Sequence, residues 1–98
     1  MDKNLREVIE TKEFSEQLKS FGNPGIKRLD DVLFGVNWAL SKNAETFPKV
    51  MNDPDISIIK TQSAKDLPSF RIYFKFDDNA VHLLWIEAIE REQTSEGN

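Results

Sequence analysis

Five side chains in the second half of this 98-residue chain are of types that handle phosphates and protons: Lys60, Arg71, Tyr73, Lys75 and His82. An arginine can hold a phosphate through two hydrogen bonds and stabilise charge that builds up during phosphoryl transfer. A tyrosine can stack on a base or exchange a proton. A histidine titrates near neutrality and can act as general acid or base. Arg71, Tyr73 and Lys75 occupy alternate positions, so in a strand they share one face at a spacing of about 6.5–7 Å. Lys60, in the preceding apolar stretch, can lie on that same face. Each residue also has a plainer explanation. Arg, Tyr and Lys are ordinary on a solvated strand face, where Lys discourages edge pairing. A strand histidine commonly fills space and bonds a backbone carbonyl.

The intervening residues, Phe70, Ile72, Phe74 and Phe76, alternate with this set and form an apolar face. Val81 to Ala88 reads as a second strand, paired to Phe70–Asp77 as a hairpin through an Asp78-Asn79 turn, since Asn tolerates left-handed backbone. Strict alternation would put Val81, Leu83 and Trp85 on one side and Leu84 and Ile86 on the other, as expected for a central strand. Ile56 to Thr61, with three β-branched isoleucines, reads as another strand.

Upstream, Thr11 is a candidate N-cap for a helix carrying Phe14, Leu18 and Phe21 as one apolar stripe, closed by Gly22. Asn23 and Pro24 suit the cap and first position of a second helix. Its apolar face is Ile26, Leu29, Val32, Leu33, Val36, Ala39 and Leu40, running to about Ser41. Gly35 inside it either weakens the helix or lets the first helix come close, and close packing is the expectation. Trp38 lies off the stripe and either borders the core or covers a sheet edge. Asn43 to Asp55 reads as a loop broken by Pro48 and Pro54 and anchored by Phe47 and Val50, and Gln62 to Pro68 as a polar connection. Leu5 to Ile9 fits either a short edge strand or the start of the first helix. The fold expected is α+β: a two-layer sandwich of two N-terminal helices on an antiparallel sheet of three C-terminal strands, plus a possible short N-terminal strand. One domain, residues 1–98, accounts for the chain, with a polar tail at 91–98 expected to be disordered.

An apolar fraction of 39% and ten aromatic residues fit a folded globular chain. The chain has no cysteine, which removes disulfides and thiolate metal sites. With one histidine and no calcium-loop pattern, no metal is expected. The four glycines stand apart at 22, 25, 35 and 97, so there is no phosphate-cradling loop and no cofactor is expected. No apolar run is long enough to span a bilayer, and Met-Asp-Lys-Asn-Leu-Arg-Glu lacks the apolar region of a signal peptide, so a cytoplasmic protein without a membrane partner is expected. The net charge of −4 opposes general polyanion binding, but it is unevenly spread. Residues 56–76 carry four cations against one anion, a net of +3, while residues 77–98 carry one cation against six anions, a net of −5.

The run Phe70-Arg71-Ile72-Tyr73-Phe74-Lys75-Phe76-Asp77-Asp78, followed by Val81-His82-Leu83-Leu84-Trp85-Ile86, resembles the paired strands of the RelE/ParE toxin superfamily of bacterial toxin–antitoxin systems. Val8-Ile9-Glu10-Thr11-Lys12-Glu13-Phe14 is similar to its first strand and helix start. The resemblance implies a small toxin-like domain inhibited by an antitoxin that wraps the sheet and helices. In ribosome-dependent members, basic residues on the open sheet face cut mRNA. Carried onto this chain, Arg71 matches the basic position of the penultimate strand and Lys60 a basic position on the strand before it. The implied site is then Arg71, Tyr73 and His82 for catalysis and Lys60 and Lys75 for holding RNA. The same fold is compatible with a ParE-like gyrase inhibitor. It is also compatible with a non-catalytic interaction module that binds a protein partner or pairs as a homodimer.

Overall fold

The alternation along residues 70–76 is realised as a central strand of a five-stranded sheet in a computed structural model, which describes residues 5–20, 29–62 and 68–89. The elements run β1 (Glu7–Glu10), α1 (Lys12–Ser20), α2 (Leu29–Asn43), a 3-10 turn (Ala44–Thr46), β2 (Lys49–Val50), β3 (Asp53–Lys60), β4 (Ser69–Phe76) and β5 (Ala80–Ile89). The sheet order is β1-β5-β4-β3-β2. Both helices bury an apolar stripe against one face of the sheet, giving the expected α+β sandwich.

Three details of the sheet differ from the sequence expectation. Leu5–Ile9 is resolved in favour of the edge strand, and β1 runs parallel to β5, so the sheet is mixed rather than antiparallel. The segment Asn43–Asp55 is not simply a loop. It holds the short strand β2, paired antiparallel to β3 through Lys49 and Val50, and β3 itself starts at Asp53. The C-terminal half therefore supplies four strands, not three. Pro54 falls near the start of β3, where a missing N–H is tolerated.

The core is built from Phe14 of α1, Leu29, Leu33, Val36 and Leu40 of α2, Ile59 of β3, Phe70, Ile72 and Phe74 of β4, and Val81, Leu83 and Ile86 of β5. Phe47 anchors the β2 side by packing edge-on to Phe74, with ring centroids 6.2 Å apart. Thr11 caps α1 as its position suggests: its Oγ1 accepts from the Phe14 N–H at 3.3 Å. The same hydroxyl donates to the Leu83 carbonyl at 2.7 Å, which ties the start of α1 to β5. The Gly35 expectation fails. A Cβ built there would meet nothing within 4 Å, so this glycine admits no close helix contact. Trp38 is exposed, with the Lys42 ammonium 4.9 Å from its ring centroid, and stands beside Leu5 and Val8 near the β1 edge. The expected cap at Asn23-Pro24, the stop at Gly22, Phe21, Ile26 and the 91–98 tail lie outside the described residues. Among the described residues, no helix is long and apolar enough to cross a membrane.

Candidate functional site on the open sheet face

Burying Phe70, Ile72 and Phe74 under the helices leaves Arg71, Tyr73 and Lys75 on the opposite face of β4, as the alternation requires. Pairing with the neighbouring strands arranges that face in rows. Lys60 of β3, Arg71 of β4 and Glu87 of β5 are in register. Ile58, Tyr73 and Trp85 form the next row, and Lys75 pairs with His82 further along.

The β4–β5 register is interrupted once. Tyr73 pairs with Trp85, but Phe74 pairs with Leu83, so Leu84 is an extra residue in β5. Such a bulge reverses the alternation beyond it. Val81 and Leu83 are buried before the bulge and Ile86 after it, while Trp85 is turned outward and left 41% exposed. The expectation that Trp85 shares a side with Val81 and Leu83 is corrected here. Its indole lies on the open face, beside Tyr73.

The chemistry converges on a residue that the sequence did not single out. Glu87 Oε2 accepts a hydrogen bond from Arg71 Nη1 at 2.8 Å and another from the Tyr73 hydroxyl at 3.0 Å. The Tyr73 hydroxyl, and after it the Glu87 carboxylate, raise the Arg71 pKa further above its ordinary value, so the guanidinium stays cationic. Arginine has five N–H donors. Glu87 engages Nη1, and a guanidinium with five N–H groups has further donors that can reach phosphate oxygens. Arg71 and Glu87 are each 37% exposed, so the cluster is open to a ligand. Ile56, Tyr73, Leu84, Trp85 and Glu87 line an open groove of about 350 Å³ over this part of the sheet.

Of the five residues suggested by sequence, Arg71 and Tyr73 therefore meet at one carboxylate, and Lys60 stands next to Arg71 in register. Lys75 and His82 pair with each other instead. Four strand positions separate Lys75 from Arg71, about 13 Å, so His82 is in a different row from the cluster. Glu87 could have been found only through its register with Arg71, because its parity in β5 depends on the bulge at Leu84.

A carboxylate, an arginine and a phenol on one surface can carry out acid–base chemistry on a phosphodiester. The carboxylate accepts a proton, the guanidinium stabilises charge on non-bridging oxygens, and the phenol donates a proton to a leaving oxygen. No family model matches the chain, and no curated protein matches it significantly.

Proposed function

We propose that this chain is a RelE/ParE-like toxin-family protein that cleaves RNA on the open face of its sheet. The observation that carries the reading is the convergence of Arg71 and Tyr73 on Glu87 Oε2, in an accessible groove. The element order supports it: an edge strand, two helices and then the remaining strands. In the reaction, the RNA 2′-hydroxyl attacks the adjacent phosphorus and the bond from phosphorus to the 5′-oxygen breaks. Glu87 takes the proton from the 2′-hydroxyl, Arg71 neutralises the phosphorane oxygens, and Tyr73 protonates the departing 5′-oxygen. The products are a 2′,3′-cyclic phosphate and a 5′-hydroxyl. The hydrogen bond between Glu87 and Tyr73 lets the captured proton return to the phenol. Lys60 and Lys75 hold the RNA backbone on either side, and His82 contributes to that second row rather than to the reacting atoms. The partners of this reading are the ribosome with its mRNA and an antitoxin that covers the face.

The test is growth of a bacterial culture on induction of the chain, beside Arg71→Ala expressed to the same level. Arrest by the parent and relief by the variant is the expected result. Equal growth of both, with soluble folded protein, would overturn the reading.

One observation favours a second reading. Ile56, Leu84 and Trp85 make much of the groove apolar, and the Arg71 charge already has a partner in Glu87. These features suit a non-catalytic module that binds a protein through the same face. Loss of a partner on Leu84→Asp, in a chain without cleavage activity, would favour that module.

A further inference from the structure

The open face carries an aromatic side chain, Trp85, that the acid–base chemistry does not use. Tyr73 and Trp85 sit directly opposite one another on two adjacent inner strands, β4 and β5. Trp85 is turned outward only because β5 takes an extra residue at Leu84, at the expense of regular pairing in the middle of the sheet. Without that bulge, the parity of β5 would send Trp85 to the helix side with Val81 and Leu83. A large apolar side chain is thus held 41% exposed over a groove floored by Ile56 and Leu84. Cations stand in the rows on both sides: Lys60 and Arg71 in one, Lys75 in the other. In a chain of net charge −4, Lys60, Arg71 and Lys75 stand around the aromatics, which is complementary to a polyanion with flat, stackable groups.

We infer that Trp85, with Tyr73 beside it, is a base-stacking platform for single-stranded RNA. A base lies on the exposed indole, and the flanking phosphates reach Lys60 and Arg71 on one side and Lys75 on the other. Stacking tolerates every base, so the platform confers strand binding with little sequence preference. The inference rests on the RNA reading of this face but does not require the cleavage step.

The test uses the full chain carrying Trp38→Phe, which leaves Trp85 as the only indole. A short 2′-O-methyl RNA oligonucleotide cannot be cut by 2′-oxygen attack and serves as the probe at low salt. The expected result is saturable quenching of Trp85 fluorescence. Anisotropy of the labelled oligonucleotide is expected to report binding weakened about tenfold or more by Trp85→Ala, and far less by Trp85→Phe, which keeps a ring. No quenching, or Trp85→Ala binding as the parent does, would overturn the platform; a face that serves a protein partner gives the unquenched result. Quenching by a chain that arrests no growth would uphold the platform and remove the nuclease. Growth arrest relieved by Arg71→Ala, without a Trp85 response, would remove the platform alone.

Discussion

Arg71 and Glu87 face one another across β4 and β5, with Nη1 2.8 Å from Oε2, and the Tyr73 hydroxyl reaches the same oxygen at 3.0 Å. Two donors thus share one carboxylate oxygen on the exposed side of the sheet. Glu87→Gln keeps the shape of the side chain and removes the proton acceptor. It is expected to lower RNA cleavage by about 10²-fold or more, as loss of a general base does. Because the side chains are partly exposed and lie opposite the core, the thermal midpoint should move little. Parallel cleavage assays and thermal unfolding of the purified variant check this, and a large fall in midpoint would make the cluster structural instead.

Phe74 is fully buried, packs against Phe47, and is the residue at which the β4–β5 register shifts. Phe74→Ala is expected to cost about 3–5 kcal/mol, enough to threaten the fold of a small domain. Urea unfolding monitored by far-UV circular dichroism measures it.

Gly35 is exposed in the middle of α2, with open space where its Cβ would be. Gly35→Ala is therefore expected to stabilise the protein by about 0.5–1 kcal/mol, through helix propensity and a less flexible unfolded chain. The urea midpoint should rise; a fall would mean that an unfilled space at this position is wrong.

Asp77 closes the hairpin turn by accepting from the Asn79 and Ala80 N–H groups at 2.8 and 2.9 Å. These backbone hydrogen bonds hold its pKa below the ordinary carboxylate value. A depressed folded pKa contributes stability that is present above the unfolded value, about 3.9, and is lost as pH falls through the folded pKa. The difference in urea midpoint between the parent and Asp77→Ala should therefore be constant near neutrality and shrink in acid. A difference that grows on acidification would contradict the turn's role.

Which parts of this molecule could be read from sequence follows from how local their causes are. The period of two across Phe70–Phe76 is enforced by burial of one face, so the side presented by Arg71 and Tyr73 was legible. The Thr11 cap was legible because its bond to the Phe14 N–H spans a single turn. The bulge at Leu84 was not, because Leu84, Trp85 and Ile86 are all apolar and the pattern is silent about which of them faces the core. The place of Glu87 on the open face was lost with it, since its meeting with Arg71 is a matter of register between strands. The parallel pairing of β1 with β5 joins segments more than seventy residues apart and leaves no trace in either one. The packing reading of Gly35 failed for a similar reason: propensity marks the position as unusual, but only the surroundings show that nothing approaches it.

The most direct measurement of the central claim is a map of RNA 5′ ends in cells shortly after induction, for the parent, Arg71→Ala and Glu87→Gln at matched soluble levels. New 5′-hydroxyl ends within messenger RNA are expected for the parent, with their loss in both variants. Identical maps for the parent and an uninduced culture, with the protein folded and abundant, would contradict it.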